Sequence, residues 1–123
     1  MSVNQRKGLR FEKEAGKYLE RQGLELLQCN YRCRFGEIDL IMHDADSICF
    51  IEVRFRSSDR FGGASASITP AKQRRIVKAA LCYLSQNRQP GKRAPRFDAL
   101  LIQRRQDGGE LDFDWIQNAF YAE

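Results

Sequence analysis

The chain has 123 residues, 42% apolar and 30% charged, with a formal net charge of +5. That length suits one domain over 1–123, which buries about two-thirds of its unfolded surface and needs no disulfide or metal staple. The composition excludes long disorder, and runs such as Ile48–Ile51 and Leu100–Ile102 fall far short of the ~20 apolar residues that span a bilayer, so no membrane contact is expected.

Gln5 to Arg21 reads as a helix. Phe11, Ala15, Tyr18 and Leu19 recur at helical spacing, and Gly23 stands where a helix stops. No long apolar run precedes or accompanies it, so no secretion signal is expected. The four cysteines, Cys29, Cys33, Cys49 and Cys82, are therefore expected to be free thiols of a cytoplasmic protein. Cys29 and Cys33 have no second ligand pair at zinc spacing.

Leu24 to Tyr31 reads as a strand, and Gly36 marks a turn. Glu37–His43 and Ile48–Arg56 read as a hairpin about Asp44–Ser47. A loop rich in small residues follows from Ser57 to Ile68. Thr69-Pro70 then opens a second helix, with Thr69 as its N-cap and a stripe of Ile76, Ala79, Ala80, Tyr83 and Leu84. Arg96–Gln103 and Glu110–Ile116 complete the chain as strands around Gly108-Gly109. The order α-β-β-β-α-β-β implies an α/β fold, a mixed central sheet flanked by helices.

A hairpin symmetric about its loop pairs Ile38 with Val53, Leu40 with Ile51 and Met42 with Cys49 on one apolar face. The other face pairs Ile41 with Phe50, Asp39 with Glu52 and Glu37 with Arg54. A slip by one residue would mix apolar and charged side chains on both faces, which argues for this register. Facing carboxylates destabilise a strand pair unless something resolves them, and a divalent cation with hard oxygen ligands does so. Solvation at a sheet margin, or pairing with Arg54 and Arg56, is the alternative.

Gly36-Glu37-Ile38-Asp39-Leu40-Ile41, followed by Phe50-Ile51-Glu52-Val53-Arg54, resembles the signature of the YraN family of small bacterial proteins. Gly8-x3-Glu12-x2-Ala15-x2-Tyr18-Leu19, Gly62-Gly63, Lys72, Arg96-Phe97-Asp98 and the stretch from Trp115 to Phe120 extend the resemblance over nearly the whole chain. That family is placed in the PD-(D/E)XK superfamily, so the resemblance implies a restriction endonuclease-like fold. It also implies Asp39, Glu52 and Glu12 as ligands of Mg²⁺ or Mn²⁺, and by analogy with resolvases a homodimer. Arg54 stands where the superfamily usually has Lys. Arginine stays protonated and cannot act as a base, but it can stabilise a phosphate. Lys72 is the candidate to compensate, because a lysine on an apolar stripe near a helix N-terminus either snorkels or meets an anion.

From Arg54 to Lys78 the chain carries Arg54, Arg56, Arg60, Lys72, Arg74, Arg75 and Lys78 against Asp59 alone, whereas Asp107 to Glu123 is acidic with no Lys or Arg. The basic stretch points to an anionic partner, nucleic acid, with Arg56, Arg60, Lys72, Arg74, Arg75 and Lys78 as its contacts. Two functions follow. One is a metal-dependent endonuclease on branched or structured DNA, with Asp39, Glu52, Arg54 and Lys72 at its centre. The other is a non-catalytic binding module or partner scaffold that keeps a vestigial site.

Overall fold

The computed structural model describes residues 3–56, 68–89, 91, 93–105 and 108–122, with the side chains of residues 3–11 and 56 left aside. Its elements follow the expected order: α1 (Val3–Arg21), β1 (Glu25–Cys33), β2 (Gly36–His43), β3 (Ser47–Arg56), α2 (Pro70–Gln86), β4 (Ala94–Arg104) and β5 (Leu111–Phe120). The five strands form one sheet in chain order. β3 and β4 are parallel and the other neighbours antiparallel, because the crossover between β3 and β4 is the one that carries a helix. No helix among the described residues is long and apolar enough to cross a membrane.

Each face of the sheet is closed by one helix. Ala15 and Leu19 of α1 pack on Leu40, Met42, Cys49 and Ile51, whereas Ile76, Ala79, Ala80 and Tyr83 of α2 pack on Ile41, Ile48 and Phe50. Strands buried on both faces explain why the hairpin reads as a nearly continuous apolar run. Tyr18 stacks on Phe113 with ring centroids 4.6 Å apart, tying α1 to β5. Thr69 caps α2 by accepting a hydrogen bond from the Lys72 amide, and Pro70 follows in the first turn.

The hairpin register matches the sequence pattern at Leu40–Ile51, Ile41–Phe50 and Met42–Cys49. Below Leu40 the pattern breaks. Ile38 does not share a face with Leu40, as simple alternation requires, but joins Ile41 under α2. The neighbouring strand is irregular at the same level. Asn30 has φ 52° and stands between the pairs Cys29–Leu40 and Tyr31–Ile38, level with Asp39. Among the boundaries that differ, β1 runs on to Cys33, and β5 to Phe120 rather than Ile116. Asp98 carries the extra length of β5. It is fully buried and accepts hydrogen bonds from Arg96, the Trp115 indole and the Asn118 amide.

Candidate functional site

The β2–β3 ladder stops at Leu40–Ile51 although both strands continue. Where it stops, a side chain replaces a backbone partner: Asp39 Oδ2 accepts from the Val53 amide at 2.8 Å. Asp39 is therefore held at the point where the two strands part. Glu52 precedes Val53 on β3 and is only 7% exposed. Burial, followed by the charge of Glu52, pushes the Asp39 carboxyl up to about 8. The Val53 amide and the charge of Lys72 oppose that rise, and Glu12 adds to it. The two acids are thus electrostatic neighbours, as the sequence pattern requires, although their backbones are not a ladder pair.

Lys72 resolves part of the conflict. The first turn of α2 carries its Nζ to 2.6 Å from Glu52 Oε1. The apolar stripe of α2 holds a lysine here because its ammonium meets a buried anion rather than open solvent. Arg54 Nη1 lies 3.7 Å from the same Glu52 oxygen. Glu37, which the expected register set opposite Arg54, does not bridge it. With the ladder open at this level, Glu37 takes Arg32 instead at 3.1 Å.

Glu12 comes from α1, three residues before the buried Ala15, and its helix face sets it beside the sheet. Burial raises its pKa, the Asn30 side chain lowers it by hydrogen bonding, and Glu37 and Glu52 raise it further. Its Oε2 is buried and lacks a hydrogen-bond partner among the described residues. An orphaned carboxylate oxygen is costly, and native proteins keep one where an ion or a function compensates it. Asn30 is the residue that sequence reasoning missed. The available signal was an asparagine inside a strand run, where that residue is depleted.

These donors suit a hard divalent ion that takes one or two carboxylates and fills its other positions with water and phosphate oxygen. They do not suit a closed cage. Among the described residues no three His, Cys, Asp or Glu side chains gather closely enough to hold a metal ion, so Asp39, Glu52 and Glu12 do not form the expected three-ligand cluster.

Of the proposed phosphate contacts, Arg74, Arg75 and Lys78 are exposed on α2. Arg75 packs by its backbone and Cβ against Gly36: a Cβ at position 36 would come to 3.4 Å from the Arg75 Cβ. The Arg56 side chain, Arg60 and Gly62-Gly63 lie outside the described residues.

The family model described as "Uncharacterised protein family UPF0102" matches residues 11–102. A UPF0102 protein of Nitrosomonas europaea is 52% identical over 120 residues, covering 98% of this chain and 98% of that protein. UPF0102 proteins of Alkalilimnicola ehrlichii and Psychromonas ingrahamii are 48% and 47% identical, over 94% and 98% of this chain and 86% and 93% of their own lengths.

Proposed function

For this chain, which belongs to the uncharacterised protein family UPF0102, we propose a metal-dependent phosphodiesterase built on a PD-(D/E)XK core and acting on branched or structured DNA. The observation that carries this reading is the convergence of Asp39, Glu52 and Lys72 from three elements at the mouth of an opened strand pair. Two acids buried together beside a lysine are costly to the fold. Such violations of local design gather at functional sites.

Asp39 and Glu52 would hold Mg²⁺ or Mn²⁺, with Glu12 behind them. When bound, the ion supplies Lewis acidity and a water acidic enough to attack at neutral pH. The chain's own groups do the rest. The Val53 amide fixes the orientation of Asp39, so the carboxylate needs no reorganisation to act as ligand. Lys72 keeps a positive charge against Glu52 in the free protein, and its ammonium is placed to turn toward a phosphate oxygen as negative charge builds there. Arg54 brings one guanidinium nitrogen to 3.7 Å from the same oxygen, and its charge is permanent. This division gives Lys72, rather than Arg54, the role that a lysine after the second acid has elsewhere in the superfamily.

Calorimetric titration with Mn²⁺ tests the metal requirement. The native protein should bind the ion, and Asp39→Asn/Glu52→Gln should bind it at least about tenfold more weakly, because the carboxylate donors are gone. Equal affinities would remove the metal from the account.

A further inference from the structure

Resting on that nucleic-acid reading, we propose that the groove between the β1–β2 turn and α2 takes an unpaired stretch of nucleic acid leading away from the acid pair, and stacks one of its bases on Phe35. Arg34 and Phe35 form the two-residue turn between the paired residues Cys33 and Gly36. Phe35 is only partly buried and lines one wall of the groove, with Lys78 of α2 on the other. The guanidinium of Arg34 lies over the Phe35 ring, 4.7 Å from its centroid, so a planar group already rests on this ring.

The path from the acid pair to this ring is basic. Lys72 meets Glu52 at 2.6 Å. Arg75 follows three residues on and Lys78 three further, so the three cations share one helix face over about 9 Å of axis. Gly36 seats the turn close to that stripe, since a Cβ there would meet the Arg75 Cβ at 3.4 Å. Among the described residues no carboxylate pairs with Arg34, Arg75 or Lys78. Phosphates take such cations, and bases stack on aromatic rings and on arginine planes whatever their sequence. A duplex keeps its base faces stacked inside, so this ring serves an unpaired strand only.

The test is fluorescence anisotropy in EDTA, where no cleavage occurs. It uses a duplex with a single-stranded tail and a blunt duplex of equal length. Phe35→Leu keeps an apolar side chain but removes the stacking face. It should weaken binding to the tailed substrate about tenfold and leave blunt-duplex affinity within about twofold. Phe35→Trp should restore tailed binding, which a merely structural role would not predict. Equal tailed affinity for wild type and Phe35→Leu would overturn this inference and leave the nuclease reading standing. Failure of the wild type to bind either DNA would remove both.

Discussion

Asp39 stands under opposing demands. The Val53 amide favours its charged form, while burial and Glu52 oppose it and bring its pKa up to about 8 from the ordinary 3.8. A folded-state pKa raised above the unfolded value means that, between those two values, the folded chain keeps a proton the unfolded chain has lost. Stability must then fall as pH rises through that window. In metal-free protein, urea unfolding should show a loss of about 3 kcal/mol between pH 5 and pH 8.5, discounted for residual hydration at the site. Asp39→Asn cannot ionise and should flatten the curve, ending more stable than wild type at the alkaline end. Parallel curves for the two proteins would mean that Asp39 is not the strained group. Glu12 shifts in the same direction and leaves a shallower slope in the variant.

The hairpin is the element whose sequence said most. Its register followed from faces that a one-residue slip would spoil, and Leu40–Ile51, Ile41–Phe50 and Met42–Cys49 pair accordingly. That logic fails at Ile38, which lies beyond the end of the β2–β3 ladder and joins the α2 side of the core. Lys72 was legible as a misplaced charge on an apolar stripe, but its partner was not, since it depends on how α2 sits across β3. The partners of Asp98 were equally hidden, and they show how it supports the fold at the other sheet edge. Its carboxylate is fully buried and holds Arg96, Trp115 and Asn118 where the β4–β5 register shifts. Asp98→Ala strands the Arg96 guanidinium and should cost about 3–5 kcal/mol in urea unfolding. A loss under about 1 kcal/mol would show that the network relaxes without it.

At the scale of the whole molecule, charge is segregated. The exposed side of α2 carries Arg74, Arg75 and Lys78, while β5 and its approach carry Glu110, Asp112 and Asp114. Such a field steers an anionic polymer to the α2 side and away from the far edge. If phosphates sit on that helix, the affinity for DNA falls with salt, and each lost contact lowers the log–log slope by about one. Arg74→Ala/Arg75→Ala should therefore flatten the slope by about two and weaken binding to all sequences alike. An unchanged slope would mark these arginines as solvated surface. The basic stretch was visible in the sequence, but its arrangement as a stripe ending at Phe35 required the close seating of Gly36 on Arg75.

The central claim is that Asp39, Glu52 and Lys72 form a working phosphodiesterase site, and single-turnover cleavage of an end-labelled forked DNA tests it most directly. In Mg²⁺ or Mn²⁺ the wild type should cut the fork, and chelation should stop it. Lys72→Met should slow cutting by about 100-fold or more while Mn²⁺ binding persists, because charge on the attacked phosphate would lose its cation. Flaps, forks and junctions left uncut with every divalent ion, or cutting that proceeds as fast without Lys72, would contradict the account.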